Sequence, residues 1–367
     1  MTLIGSEPTL PYERPPLSKA GAGAVKPIRP IEAYATAGID LRLGVSVARI
    51  DRVAQAVALS DGASLAYDRL LLATGAKPRV FPGFEACVTL RNDLDAAGIL
   101  SHLTPGARIG IIGGGFIGLE LAATARRCGA RVTLFEAAPR LMARAVPEQI
   151  AQVFEARHRA EGVDLRLSAN VAAGDATSVT LTDGTTLRFD LVVAGMGATP
   201  QVDLAIGGGL DVANGITVDG HLCTSDPHIF AAGDCCNFDW RGARVRLESW
   251  KAAQDQGAHA AAAMLGATEH YGKAPWFWSD QYHLALQVAG LFDMGQPVQI
   301  RETQDNRVIV FQCDAQGQLL AAAGVGIGNA IAKDIRIFEK LIERGSHVDP
   351  ALLGDPEHNL KRFLKAA

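Results

Sequence analysis

Gly113-Gly114-Gly115-Phe116-Ile117-Gly118 stands between a short apolar run, Ile109 to Ile112, and a helical run, Leu119 to Arg127. A second apolar run, Val132 to Phe135, follows and ends on Glu136. The order is strand, glycine turn, helix, strand, acid. Such a turn recognises the pyrophosphate of a dinucleotide: the first glycine makes the bend, the second lets backbone N–H groups approach the phosphates, and the third lets helix and strand pack closely. The helix start adds unpaired N–H groups and a partial positive charge. An ordinary glycine turn in a β-α-β unit would explain the glycines alone. It would not explain an acid placed about 20 residues beyond them.

Glu136 also bears on which dinucleotide binds. A carboxylate there accepts hydrogen bonds from both adenosine ribose hydroxyls and repels a 2′-phosphate. Two unit charges at about 4 Å cost about 4 kcal/mol at an effective dielectric near 20. Arg140 and Arg144 lie close enough in sequence to offset part of that repulsion. The acid therefore favours NADH, with NADPH as the alternative.

Composition sets wider limits. The chain has 367 residues, 48% hydrophobic and 20% charged, which suits a globular protein of two or three domains. A net charge of −4 gives no general attraction to nucleic acid or anionic membrane. No apolar run reaches the roughly 18 residues of a membrane span, and the first residues do not read as a signal peptide. Six cysteines form no C-x-x-C pair and no zinc spacing, and nine histidines form no H-x-x-x-H pair. No metal site is expected, and a reducing cytoplasm fits.

The chain contains an internal repeat. Gly38-Ile-Asp-Leu-Arg-Leu, Ser60-Asp61-Gly62, Tyr67-Asp68 and Leu70 to Gly75 are matched in order by Gly162-Val-Asp-Leu-Arg-Leu, Thr182-Asp183-Gly184, Phe189-Asp190 and Leu191 to Gly195. Each copy reads as a strand, a hairpin with an Asp-Gly turn, and a buried strand ending in glycine. Two such units imply two nucleotides. The second copy begins with the glycine turn and the first does not. Aligning Thr133-Leu134-Phe135 with Thr2-Leu3-Ile4 leaves the counterpart of Arg108 to Arg131 absent from the start. That counterpart would be a central strand, a glycine turn and a helix, whose loss leaves neighbouring strands unpaired. Two explanations fit: a start placed too far downstream, or a natural short form with a weakened first nucleotide site. The intact remainder favours the first.

Several stretches then carry a family likeness: Glu13-Arg14-Pro15-Pro16-Leu17-Ser18-Lys19, Ala73-Thr74-Gly75-Ala76, Thr224 to Asp234, and Pro275 to Tyr282. With them the chain resembles the FAD-dependent NADH:ferredoxin reductases that serve bacterial oxygenases and cytochromes P450, from residue 1 to near residue 365. The resemblance implies an α/β fold: two Rossmann-like nucleotide-binding domains of the glutathione-reductase type and an α+β C-terminal domain. The FAD domain would span 1–91 and 206–268, the NADH domain 92–205 and the C-terminal domain 269–367.

The same resemblance assigns roles. Lys19 lies beside the flavin in the family and pairs with the glutamate matching Glu120; a cation there would stabilise the reduced ring. Asp234, after Gly233, matches the aspartate that binds the ribityl chain, although a helix cap is its plainer role. Arg91 matches an arginine near the FAD diphosphate, Val47 and Trp250 match packing or backbone contacts, and Ala73, Thr74 and Gly75 lie in a matching FAD segment. Trp278 falls where the family approaches the flavin edge, with a core tryptophan as the competing reading. The NADH set is Gly113, Gly115, Phe116, Ile117, Gly118, Glu120 and Glu136, with Gly197 after the last strand of the second copy. One departure stands out: the family has an acid just after Gly5, where this chain has Ser6 and places Glu7 one residue later.

Pro16-Leu17-Ser18-Lys19 stands where disulfide reductases carry paired cysteines, so no redox disulfide is expected. The implied reaction moves electrons from NADH through FAD to a ferredoxin, of the [2Fe–2S] type before a rubredoxin. The rivals are an NADH:small-molecule acceptor reductase, such as a monodehydroascorbate reductase, and a shortened NADH-binding protein without flavin. Lys333, Arg336, Lys340 and Arg344 form one basic stripe on an expected helix, with Ile335, Phe338, Leu341 and Ile342 toward the core. An acidic ferredoxin fits such a stripe; an ordinary solvated face beside Glu339 and Glu343 fits slightly better.

Overall fold

The computed structural model describes residues 1–19, 26–301, 303 and 307–366. The chain divides into two compact units. The first comprises Met1–Pro16, Gly23–Lys77 and Ala198–Gly272; the second comprises Leu17–Ala22, Pro78–Gly197 and Lys273–Ala367.

In the second unit, strands Asp164–Arg166, Arg131–Phe135, Arg108–Ile112 and Leu191–Ala194 form a parallel sheet in that spatial order. Arg108–Ile112 is central and, past its first residue, fully buried, as expected of a parallel strand covered on both faces. The helix Phe116–Arg127 covers one face and buries Leu119, Leu121, Ala122 and Ala125. A three-stranded antiparallel sheet, Val171–Gly174, Ser178–Leu181 and Thr186–Arg188, turns at Gly184 with φ of 87°. The C-terminal part is a five-stranded antiparallel sheet ordered Trp276–Gln281, Leu284–Gly290, Leu319–Ile327, Val308–Cys313, Gln299–Arg301. Helix Ala332–Glu343 lies on it and buries Ile335, Phe338, Leu341 and Ile342, the face its 3.6-residue period marks.

The first unit repeats this plan in part. Its strand Thr2–Gly5 pairs in parallel with Asp40–Leu43, Thr2 opposite Asp40, Leu3 opposite Leu41 and Ile4 opposite Arg42. In the second unit Thr133 faces Asp164, Leu134 faces Leu165 and Phe135 faces Arg166. The register agrees residue for residue with the sequence alignment. The hairpin sheet recurs as Val47–Asp51, Ala56–Leu59 and Ser64–Ala66, turning at Gly62 with φ of 88°. Leu70–Leu72 pairs in parallel with Ile229–Ala231. Thr2–Gly5 and Leu70–Leu72 lie in separate two-stranded sheets. Among the described residues, no strand takes between them the place that Arg108–Ile112 takes in the second unit. The core of this unit gathers Ile50, Val57, Leu72, Ile216, Ile229, Phe230 and Phe238.

Candidate functional site

The glycine turn in the second unit is fixed by three different constraints. Gly113 has φ of 109°, and a Cβ there would stand 2.3 Å from the Gly195 carbonyl oxygen. At Gly118 a Cβ would stand 2.2 Å from the Gly113 oxygen, so only glycine lets the helix sit this close to the strand end. Gly115 differs: a Cβ there would meet nothing within 4 Å. It is the N-cap of helix Phe116–Arg127 and offers no side chain to the first-turn N–H groups. That open face with unpaired donors fits a pyrophosphate. Ile117, 47% exposed, offers apolar surface on the first turn beside it. Phe116 packs on Phe277 with ring centroids 5.1 Å apart.

Glu136 follows strand Arg131–Phe135 and turns back to the glycines. Its Oε2 accepts the Gly114 N–H at 2.6 Å and its Oε1 accepts the Ala138 N–H at 2.7 Å. Each oxygen keeps a lone pair for a ribose hydroxyl. Of the two arginines expected to offset this charge, Arg140 donates its guanidinium to Val146 O and Ala143 O, each at 2.8 Å. The Arg140 fork is committed to backbone carbonyls, whereas Arg144 is exposed and reaches to 3.8 Å from where a Gly197 Cβ would stand. These features fit NADH.

Glu120 lies one turn into the same helix and is 7% exposed. Its Oε2 accepts from Ser18 Oγ at 2.5 Å and its Oε1 from Ser279 Oγ at 2.6 Å. Lys19 Nζ stands 3.4 Å from Oε1 and 3.5 Å from Asp280 Oδ2. Burial pushes the Glu120 carboxyl above the usual carboxylate range, and Lys19 and the two hydroxyls pull against it. Lys19 is held by its backbone: Thr124 Oγ1 donates to Ser18 O at 2.8 Å and Arg127 donates to Lys19 O at 2.6 Å. The ammonium also lies 5.4 Å from the Trp278 ring centroid, and Trp278 stacks on Trp276. Trp278 is half-buried. The second unit thus joins a cation, a buried carboxylate and an indole ring.

The remaining FAD candidates divide between the units. Arg91 lies in the second, where its N–H donates to Asp95 Oδ2 at 2.8 Å. The first unit holds Val47, Ala73, Thr74, Gly75, Gly233, Asp234 and Trp250. Strands Leu70–Leu72 and Ile229–Ala231 run parallel and in register, so Ala73-Thr74-Gly75 and Gly233-Asp234 leave one carboxyl edge side by side. That edge is where open α/β sheets bind ligands. Thr74 is pinned from both sides by Gln201. Helix Trp250–Met264 packs on Gly233, whose N–H donates to Gln256 Oε1 at 2.8 Å. Asp234 sits within a single 3₁₀ turn, and the cap of the following helix is Ser249. A half-buried carboxylate at a carboxyl edge suits sugar hydroxyls. Val47 packs against the unit's core. Glu7, one residue past the family's acid position, is bound by Tyr12 Oη at 2.6 Å and by Arg14.

The sequence left Ser279, Gln281 and His158 unassigned. The available signal was alternation: Ser279 and Gln281 are small or neutral polar residues two apart on strand Trp276–Gln281, and both are buried. On the basic stripe, Lys333, Arg336, Lys340 and Arg344 are all exposed. Arg336 donates to Glu339, itself 6% exposed, at 2.6 Å, and Arg344 donates to Leu364 O at 2.9 Å. All six cysteines are free, and the described residues hold no cluster suited to a metal ion.

Comparison with known proteins adds to this geometry. The model of the pyridine nucleotide-disulphide oxidoreductases matches residues 1–257, and a reductase C-terminal model matches residues 276–364. The chain is 41% identical over 380 residues to the ferredoxin–NAD(+) reductase component of the anthranilate 1,2-dioxygenase system of Burkholderia cepacia, covering 99% of this chain and 93% of that protein. It is 38% identical to rhodocoxin reductase of Rhodococcus erythropolis, covering 98% and 87%. Among solved structures, the covalent putidaredoxin reductase–putidaredoxin complex contains a chain that superposes with a TM-score of 0.92 at 36% identity, covering 100% of this chain and 92% of that one.

Proposed function

The chain belongs to the pyridine nucleotide-disulphide oxidoreductases, among the ferredoxin–NAD(+) reductases, and from that membership we propose that it passes electrons from NADH through FAD to a ferredoxin or rubredoxin serving an oxygenase or P450. The observation that carries this reading is the Lys19–Glu120 pair, because it stands on the helix that opens at the glycine turn. A dinucleotide on that turn and a cation beside Trp278 belong to one structural unit.

When bound, the flavin supplies the exchange between a two-electron donor and a one-electron acceptor. This chain's residues do the rest. Gly115 and the first-turn N–H groups take the pyrophosphate of NADH, and Glu136 takes the ribose hydroxyls. Lys19 offers positive charge to the flavin ring, Glu120 fixes that ammonium, and Trp278 covers it. Val47, Ala73 to Gly75, Gly233, Asp234 and Trp250 are the first unit's FAD candidates, and Arg91 is the second unit's. Residues 1–91 with 206–268 would form the FAD domain, 92–205 the NADH domain and 269–367 the C-terminal domain. A cytoplasmic site fits six free thiols. Among the described residues no helix is long and apolar enough to cross a membrane.

The purified chain tests this directly. Flavin bands near about 450 nm and NADH-driven cytochrome c reduction that requires an added [2Fe–2S] ferredoxin are the expected result. Reduction without ferredoxin would favour a small-molecule acceptor reductase. A colourless protein that still binds NADH would favour a nicotinamide-binding protein.

A further inference from the structure

Glu120 ends a buried chain of hydrogen bonds whose direction is fixed by donor count. Ser279 has one hydroxyl proton, and an ionised Glu120 can only accept it. The Ser279 oxygen therefore accepts from Gln281 Nε2, at 3.1 Å. That sets the amide, whose Oε1 faces His158 Nε2 at 2.8 Å. Nε2 must then carry the imidazole proton, which leaves Nδ1 as the acceptor for Tyr282 Oη at 3.2 Å. Every bond points the same way, from Tyr282 to Glu120.

The setting is dry and specific. His158 and Ser279 are 0% exposed and Gln281 is 1% exposed. Tyr282 holds φ of 56°, a left-handed conformation uncommon for an aromatic residue, while its ring meets His158 edge-on at 5.1 Å between centroids. Around this chain the charged groups are Glu161 near His158 and Tyr282, Arg157 over the Tyr282 ring, Arg126 and Arg127 acting on Tyr282, and Lys19 at Glu120, with Asp280 beyond it. A proton relay is excluded by Gln281, since an amide at that link passes no proton in its ordinary form.

We propose that Tyr282, His158, Gln281 and Ser279 are positioning residues, a one-way hydrogen-bond chain that keeps the Glu120 carboxylate an acceptor and so fixes the Lys19 ammonium. The consequence for flavin reduction rests on the function proposed above; the chain itself does not. Donors in series polarise one another, so removing the last one disturbs the far end.

The test reads both ends. Nitrogen-15 NMR of labelled protein, with His158→Gln assigning the signal, is expected to show the Nε2–H tautomer of His158, uncharged at neutral pH because burial pushes the imidazole below its usual range. Ser279→Ala frees the Gln281 amide to turn, and the His158 signal should move toward the Nδ1–H form although the two residues do not touch. Ser279→Thr should restore it. In single-turnover reduction by NADH, Ser279→Ala should slow the flavin step about tenfold and move its acid limb up by about one pH unit. Should Ser279→Ala not fold, Gln281→Glu removes the amide donor one link further up the chain, the one Ser279 accepts from, and should move the acid limb the same way. An unchanged His158 signal, or pH profiles that overlay, would overturn the proposal and leave a network that only packs strand on helix. A colourless preparation would count against the flavin function alone, and the NMR arm would still decide the chain.

Discussion

Glu136 accepts the Gly114 N–H at 2.6 Å, so the acid proposed to select the ribose also braces the turn proposed to bind the pyrophosphate. Glu136→Gln removes the charge and one acceptor. The Michaelis constant for NADH should rise about tenfold, the weight of about one charge-assisted hydrogen bond. The constant for NADPH should fall, because repulsion of the 2′-phosphate is gone. Steady-state kinetics with both nucleotides check this, and an unchanged NADH-to-NADPH ratio would count against the assignment.

Gly115 and Gly118 should respond oppositely to alanine. At Gly118 the new methyl meets the Gly113 carbonyl at 2.2 Å, a backbone atom that cannot swing away. Gly118→Ala should cost at least about 1–3 kcal/mol of stability, the usual range for overpacking. Gly115 has φ of −83° and open space, so Gly115→Ala should fold with its melting temperature nearly unchanged. Its methyl would instead occupy the proposed phosphate approach and should weaken NADH binding. Thermal melts and NADH titration of both variants separate the two effects.

These contrasts mark what the sequence carried. The glycine turn, the acid after it and the Asp-Leu-Arg-Leu repeat are local patterns, and local geometry dictates them; the parallel register of Thr2 on Asp40 follows the alignment with Thr133 on Asp164. Ser18, Ser279 and His158 were not legible as one group. Glu120 meets Ser18 across 102 positions and Ser279 across 159, and His158 meets Gln281 across 123. No periodicity records such pairings. Arg140 shows the same limit: nearness in sequence to Glu136 said nothing of the backbone carbonyls its guanidinium binds.

Lys19→Met tests the buried charge at Glu120. Breaking such a pair costs about 3 kcal/mol or more when the partner stays buried. Burial already raises the Glu120 carboxyl, and Lys19 is the largest influence lowering it. The folded protein therefore takes up that proton more readily than the unfolded chain. Stability from this group is present at low pH and is lost as pH rises through the folded-state value. Removing Lys19 lifts that value further and enlarges the loss. The gap between variant and parent in urea unfolding should be wider at about pH 7.5 than at about pH 5. A constant gap would mean that the ammonium does not hold the carboxylate.

The thiols should be bystanders. Burial pushes Cys87 and Cys313 up to about 11, and Cys236 higher still, so little thiolate exists near neutrality. Cys128 is exposed. Brief alkylation should label Cys128 first, vanish as a fast phase in Cys128→Ser, and leave NADH-dependent reduction intact. Loss of activity on alkylation would point to a thiol mechanism and against the flavin-to-ferredoxin route.

The basic helix face offers a last discrimination. Arg336 is bound to buried Glu339 and Arg344 to a carbonyl, so two of the four cations already serve the fold. Lys333 and Lys340 are exposed. For an ordinary solvated face, Lys340→Glu should change the Michaelis constant for a [2Fe–2S] ferredoxin by less than about twofold, in keeping with the small worth of surface charges. For a docking face the same reversal should lower the association rate several-fold and flatten its salt dependence, because steering acts through rim charges. The two engaged arginines favour the first outcome. Ferredoxin titrations at low and high salt decide between them, with ferricyanide reduction as the control that needs no docking partner.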